Sequence, residues 1–150
     1  NVESNLAFVL GNWDMILQVL DNLVGNALKF SKEGGIINLK AYTWPDICVA
    51  SPVDQDNKAP HCEILSPMPK IRVEVSDTGC GISELDQQRI FERFYRIDVA
   101  RSRKLGGTGL GLSIVKHIIQ AHQGTVSVTS TPVEGSTFLI QIPFIEMNPT

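Results

Sequence analysis

"SDTGCGIS", residues 76–83, closes an alternating run and then sheds its side chains. Before it, "KIRVEV" at 70–75 alternates charged and branched apolar residues, the period of a half-buried strand. Asp77 ends that strand, and Gly79 and Gly81 follow. An acid at a strand end is an ordinary turn residue. Two glycines behind it also leave bare backbone against which a flat ligand can lie. A carboxylate accepts hydrogen bonds and donates none, so beside such a surface it suits an exocyclic amine. What the rest of the chain supplies decides between turn and pocket.

Upstream, "WDMILQVLDNLVGNALKFS" at 13–31 carries apolar residues at three- and four-residue steps and predicts an amphipathic helix. Asp14 suits its N-terminal dipole, and "KEGG" at 32–35 offers glycine for a left-handed stop. Asn22, Asn26 and Lys29 share one stripe of that helix, roughly 60° wide at about 100° per residue. A solvated face is one reading of the stripe. Amide oxygens for a hard cation, with a lysine to neutralise phosphate, is the other. "IINLKAYTW" at 36–44 reads as a strand. From Pro45 to Pro69 there are five prolines and little periodicity, which predicts an excursion outside the core.

Downstream, Ser83 is the expected N-cap of a short helix over "ELDQQRIFERFYR" at 84–96. In that helix "IFERFYR" has aromatic surface for a core or for docking a partner domain. "IDVARSRKLGGT" at 97–108 is charged and then glycine-rich, the composition of a mobile segment. "GLGLSIVKHIIQAH" at 109–122 predicts a second amphipathic helix stopped by Gly124; "TVSVTS" and "TFLIQIPF" predict the last two strands, joined by a turn at "TPVEGS". Helices and strands joined by short connections imply a two-layer α/β sandwich with helices on one face.

"GGTGLGLS" at 106–113 opens the second helix, where unpaired amides and the helix dipole attract phosphate. A Walker loop counted from Gly106 would need lysine where Leu112 stands, and GxGxxG from Gly106 would need glycine at Thr108. The loop is therefore a phosphate-type glycine loop of another kind, or a hinge.

The 150 residues fit one domain, and 43% hydrophobic with 19% charged residues excludes a disordered chain. A net charge of −3 gives no support for a nucleic-acid surface. Cys48, Cys62 and Cys80 form no zinc-ligand spacing and read as free thiols of a reducing compartment. No apolar run is long enough for a membrane span. The chain begins at Asn1 without methionine and is expected to be a piece of a longer protein.

Taken in order, "NLVGNALKF", "DTGCGI", "IFERFYR", "GGTGLGLS" and "GSTFLIQIP" resemble the N, G1, F and G2 boxes and closing strand of sensor histidine kinases' catalytic ATP-binding domain. That domain belongs to the superfamily that also holds the gyrase, Hsp90 and mismatch-repair ATPases. The resemblance covers the whole chain except the excursion at about 44–69, an insert similar to those of cyanobacterial and plastid stress-sensor kinases. It implies the Bergerat fold: a mixed, mainly antiparallel sheet, helices on one face and a mobile ATP lid at about 93–108. It implies ATP and magnesium as cofactors. Asn26 would hold the metal with help from Asn22, and Lys29 would contact phosphate. Phe30 would flank the nucleotide. Asp77 would take the adenine amine, in a pocket shaped by Gly79, Gly81 and Ile82. Arg96 and Arg101 would be lid cations. Gly107, Thr108, Gly109, Leu110 and Gly111 would form the phosphate loop, and Thr137 would lie in the strand closing the base pocket.

The implied activity is that of a protein-histidine kinase: presentation of the γ-phosphate of ATP to a histidine on a separate dimerisation and phosphoacceptor hairpin. A response regulator would be the next partner, within two-component signal transduction. His61, His117 and His122 lack the setting of a phosphoacceptor, so no catalytic nucleophile is expected in this chain. The fragment is expected to be a monomer in the cytoplasm, and the longer protein a homodimer that a membrane can anchor. Two rivals are a non-catalytic nucleotide-binding module and a gyrase- or Hsp90-type ATPase. The second needs an acid near the asparagine box, for which Asp14 and Asp21 are the candidates.

Overall fold

The structure is a computed structural model and describes Val2 and residues 11–44, 48–50, 62–64, 69–97 and 107–144. Helix α1 spans Trp13–Phe30. Its N-cap is Asn12, whose Oδ1 accepts from the Met15 amide at 3.1 Å, with Asp14 in the first turn and Lys29 in the last. The helix stops one step earlier than a glycine stop would place it. Ser31 turns extended while its amide bonds back to the Ala27 carbonyl, and the left-handed Gly34 shapes only the following turn.

Strands β1 (Ile37–Trp44), β4 (Lys70–Asp77), β5 (Thr125–Thr131) and β6 (Gly135–Pro143) form a four-stranded sheet in the order β1-β4-β6-β5. Every pairing among them is antiparallel, and an isolated parallel bridge, outside the four strands, joins Val2 to Ala41. Strands β2 (Cys48–Ala50) and β3 (Cys62–Ile64) pair with each other in a separate two-stranded sheet. These strands lie in the predicted excursion, most of which is outside the described residues. Its two ends are adjacent, because Trp44 and Lys70 are the last rung of the β1–β4 ladder.

The core lies between this sheet and two helices. Period-two alternation aims Ile71 and Val75 of β4 and Phe138, Ile140 and Ile142 of β6 at one face. They meet Val19, Leu23 and Ala27 of α1 and Val115, Ile118 and Ile119 of α3 (Gly111–Ala121). Each Val, Leu, Ile or Phe side chain among them, fully buried, contributes roughly 1.5–3 kcal/mol. The other face is polar. There the Tyr42 hydroxyl bonds Glu74 at 2.5 Å and the Arg72 guanidinium stacks 3.5 Å over Trp44. Helices on one face of a twisted sheet is the predicted two-layer sandwich. No helix among the described residues is long and apolar enough to cross a membrane.

The helix expected over 84–96 is much shorter. Helix α2 covers Glu84–Gln87, capped by Ser83, and the chain then descends in turns. Ile90 is buried and Phe91 sets its edge on Phe138 at 6.4 Å, whereas Phe94 is exposed with φ +62°. A left-handed phenylalanine cannot continue a helix. Its amide instead bonds the Gly109 carbonyl at 2.9 Å, tying this segment to the glycine loop.

Asp86 holds the segment together, accepting from the Ser83 hydroxyl at 2.5 Å and the Tyr95 hydroxyl at 2.6 Å. The first bond, then the second, lowers the Asp86 carboxyl below its ordinary value, and the same carboxylate raises the Tyr95 phenol. A carboxyl depressed on folding stabilises above its unfolded value of about 3.9, and that contribution is lost as pH falls through the folded value. A raised phenol stabilises below about 10 and loses its contribution as pH rises through the folded value. Tyr95→Phe is therefore expected to raise the acid-unfolding midpoint and flatten the alkaline limb in circular-dichroism melts. Acid and alkaline limbs identical to wild type would show that the bond contributes nothing.

Candidate functional site

Between α1, the loop after β4 and the start of α3 lies a cavity of about 360 Å³, within the range of small-molecule sites. Its α1 wall carries the predicted stripe. Asn22, Asn26 and Lys29 all line it, with Phe30 at the helix end. The Asn22 amide nitrogen donates to the Gln18 carbonyl at 2.8 Å, and among the described residues its oxygen has no hydrogen-bond partner. That oxygen faces α3: a Cβ on Gly111 would lie 2.6 Å from it. Among the described residues the Asn26 amide has no hydrogen-bond partner, and the Lys29 ammonium rests 5.5 Å over the Phe30 ring.

The wall opposite is the loop after β4. Asp77 lines the cavity, and its Oδ1 accepts from the Gly79 amide at 2.8 Å, leaving the second oxygen for a ligand. Gly79 is buried behind the loop: a Cβ there would meet the Phe30 carbonyl oxygen at 2.6 Å. Gly81 has φ +67°, and a Cβ there would run into the Thr131 carbonyl. The Cys80 amide donates to Phe30 O at 3.3 Å and its carbonyl accepts from Val133 N at 2.7 Å. The loop is thus clamped between α1 and the β5–β6 turn. Ile82 and Ile90 add apolar surface.

The third wall is the glycine loop. Gly107, Thr108, Gly109 and Gly111 line the cavity, and Leu112 follows them. Gly109 is left-handed at φ +75°, so α3 begins two residues later than its apolar pattern suggests. Leu110, at the N-cap, does not line the cavity and provides no side-chain cap. Helices α1 and α2 both have one. The first amides of α3 therefore reach the cavity with their partial positive charge uncompensated by a cap. Arg96 lines the same end, and its Nε is buried with no partner among the described residues. Arg101 and residues 98–106 of the expected lid lie outside the described residues.

Twelve of the sixteen expected residues thus line one cavity. Gly79 packs behind the loop, Leu110 is the α3 N-cap, and Arg101 is not described. Thr137 lies in β6, as expected, but does not line the cavity. It pairs with Ser76 across the β4–β6 ladder, and its hydroxyl donates to Ser76 Oγ at 2.9 Å on the polar face of the sheet. Its neighbour Ser136, paired with Asp77, points into the cavity and is buried. Ser136 and Tyr95 are the polar lining residues that sequence reasoning passed over. Counting in twos from the apolar Phe138 would have found Ser136.

The histidines stand apart. His122 ends α3, with Nδ1 2.8 Å from the Ile118 carbonyl and Nε2 accepting from the Asn12 amide at 3.1 Å. The two bonds together require the neutral ring with its proton on Nδ1. The bond to Asn12 ties the far end of α3 to the start of α1. His117 is exposed on α3, and His61 is outside the described residues.

Residues 11–146 match the family described as "Histidine kinase-, DNA gyrase B-, and HSP90-like ATPase". The chain is 45% identical over 142 residues to the "Uncharacterized sensor-like histidine kinase ycf26" of Porphyra purpurea, covering 95% of this chain and 20% of that protein. It is 46% identical over 138 residues to "Drug sensory protein A" of Synechocystis sp., covering 91% and 19%. It is 40% identical over 133 residues to "Sensor histidine kinase WalK" of Bacillus subtilis, covering 89% and 18%. The chain therefore spans about a fifth of the length of the curated relatives it matches. Among solved structures, full-length ShkA in complex with AMPPNP is 31% identical with a TM-score of 0.65, covering 95% of this chain and 24% of that one. The nucleotide-free catalytic domain of histidine kinase ThkA is 28% identical with a TM-score of 0.65, covering 95% and 76%. By sequence and by fold, the chain belongs to the histidine kinase-, DNA gyrase B- and HSP90-like ATPases, as an ATP-binding catalytic domain of the sensor-histidine-kinase type.

Proposed function

We propose that this domain binds magnesium-ATP in the cavity and presents the γ-phosphate to a histidine on a separate helical hairpin of the same longer protein. The observation that carries this reading is the polarity of the cavity. One end offers acceptors, Asp77 and Ser136; the other offers donors and cations, the uncapped start of α3 with Lys29 and Arg96. An adenine amine suits the first and a triphosphate the second. The Asn22 and Asn26 oxygens are the hard donors magnesium takes. Such an ion keeps several waters and shares the phosphate oxygens. Bound there, it would neutralise charge between the terminal phosphates.

The chain's own part is to orient and neutralise. Lys29, Arg96 and the α3 amides fix the triphosphate, Arg101 of the lid joins them, and phosphoryl transfer needs little else from a protein beyond an aligned nucleophile. That nucleophile is not His122, whose nitrogens are both engaged at the far end of α3, about 16 Å from its start at 1.5 Å per residue. Asp14 and Asp21, the candidate bases of the ATPase rival, are exposed on α1 and do not line the cavity. The longer protein would work as a cytoplasmic or membrane-anchored homodimer and pass its phosphate to a response regulator.

Labelled ATP tests this directly. The chain alone is expected to bind ATP, to lose affinity when magnesium is chelated, and to acquire no phosphate. With the hairpin of the longer protein added as a separate chain, acid-labile, base-stable label should appear on the hairpin, slowly, because the tether's effective concentration of millimolar order is gone. Stoichiometric acid-labile label on this chain alone would overturn the assignment.

A further inference from the structure

Asp77, Ser136 and Ser130 form one row across three strands, since Asp77 pairs with Ser136 and Ser136 with Ser130. Asp77 and Ser136 line the cavity; Ser130 does not. Yet Ser130 decides what Ser136 can offer. The Ser130 hydroxyl donates to the Gly135 carbonyl at 2.7 Å and accepts from the Ile82 amide at 2.8 Å. Its oxygen also lies 3.0 Å from Ser136 Oγ. A serine hydroxyl has one proton and two lone pairs. The proton of Ser130 is on Gly135, so the contact with Ser136 uses the proton of Ser136. The Ile82 amide and the Ser136 hydroxyl then fill both lone pairs of Ser130. Gln87 holds the arrangement in place, its amide nitrogen donating to the carbonyls of Ile82 and Ser130, each at 2.9 Å.

We propose that Ser130 is a positioning residue for nucleobase selection, acting through Ser136: by holding the Ser136 proton it turns Ser136 into a pure acceptor beside Asp77. This rests on the nucleotide reading above and deepens it. Asp77 alone discriminates poorly, because the N1–H of a 6-oxo purine can satisfy a carboxylate as the 6-amino group of adenine does. A second acceptor changes that. The amino group has two protons and can serve both acceptors. A 6-oxo group would set its own lone pairs against those of Ser136, leaving buried polar atoms unpaired, the kind of mismatch that discriminates strongly. Freed from Ser130, the Ser136 hydroxyl can rotate and donate to the oxo group, and the discrimination goes.

The test is the ratio of affinities of the full 150-residue chain for magnesium-ATP and magnesium-ITP, by calorimetry. Wild type is expected to prefer ATP. Ser130→Ala should lower the ratio by about tenfold or more, the scale of one hydrogen bond, and Ser130→Thr should restore it. Ser136→Ala should lower it too, and adding Ser130→Ala to that variant should change it no further, because the second residue acts only through the first. Should Ser130→Ala fail to fold, Ser130→Cys fills the same space with a weak donor and is expected to show the same fall. An unchanged ratio in a folded variant, equal weakening of both nucleotides, or additive effects in the double variant would overturn the role of Ser130 while leaving ATP binding intact. A wild type that binds ATP and ITP equally would overturn the selection argument. A wild type that binds neither would remove the nucleotide reading and this inference with it.

Discussion

Asp77→Asn is expected to weaken ATP binding about 10- to 150-fold while leaving the domain folded, the loss of one charge-assisted hydrogen bond of roughly 1.5–3 kcal/mol. The two oxygens of Asp77 have different duties. Oδ1 accepts from the Gly79 amide, and an asparagine oxygen can keep that bond and with it the shape of the loop. The other oxygen is left for the cavity. There the variant places an NH₂ group, a donor facing the donating amine of the base. The substitution thus reverses one hydrogen bond and spares the other. Calorimetry with magnesium-ATP, beside a thermal melt, reads the two separately. A folded variant with wild-type affinity would remove Asp77 from the base contact.

Gly81→Ala should act on both fold and binding. At φ +67° an alanine pays a left-handed penalty of about 1–2 kcal/mol. Its Cβ would also occupy the place of the Thr131 carbonyl oxygen, with the Thr131 carbon at 2.7 Å and Pro132 Cα at 2.8 Å. All of these are backbone, so no side chain can swing aside. Thr131 ends β5 and is held in register opposite Gly135. We expect a loss of about 2–4 kcal/mol of stability and, because Ile82 and Asp77 flank the displaced loop, loss of measurable ATP affinity. Gly34→Ala is the internal control. Gly34 has φ +76° but open space where its Cβ would go, so only the conformational penalty applies. Urea titrations of the two variants should differ by the steric part alone. Equal stabilities would mean that the loop yields more easily than its clamps suggest.

The residues that announce themselves in the sequence are those whose chemistry is unusual for their place. Two asparagines and a lysine on one helical stripe, an acid followed by spaced glycines, and a glycine run at a helix start are each ordinary alone; their order is not. Strand and helix periodicity put α1, β1, β4 and β5 within a residue or so of their observed limits. The failures have physical causes. The helix predicted over 84–96 ends at Gln87, where three-residue turns take over (Arg89 N to Asp86 O, Glu92 N to Arg89 O), and the left-handed Phe94, tied to the Gly109 carbonyl by a tertiary contact that local propensity cannot see, keeps it from running on to 96. The resemblance names Thr137 by its strand and leaves the face unstated, whereas the period of two counted from Phe138 puts Ser136, not Thr137, on the core side. The β4–β6 pairing settles this by placing Ser136 beside Asp77.

The meeting of Trp44 and Lys70 as the closing rung of the β1–β4 ladder has a consequence for how such a domain can diversify. The ladder, eight pairs long with that rung included, sets the strand spacing and keeps Asp77 at the opposite end. The chain leaves the sheet at one end of that rung and re-enters it at the other. Each doubling of the threaded length adds only about 0.6 kcal/mol of closure entropy, while the strands close through the same rungs. The Trp44–Lys70 end of the ladder is therefore an address at which added chain length costs little in closure. A peptide tag or a reporter grafted there would sit at the far end of the ladder from the site, since seven steps of 3.3–3.4 Å along β4 separate Lys70 from Asp77 by roughly 23 Å.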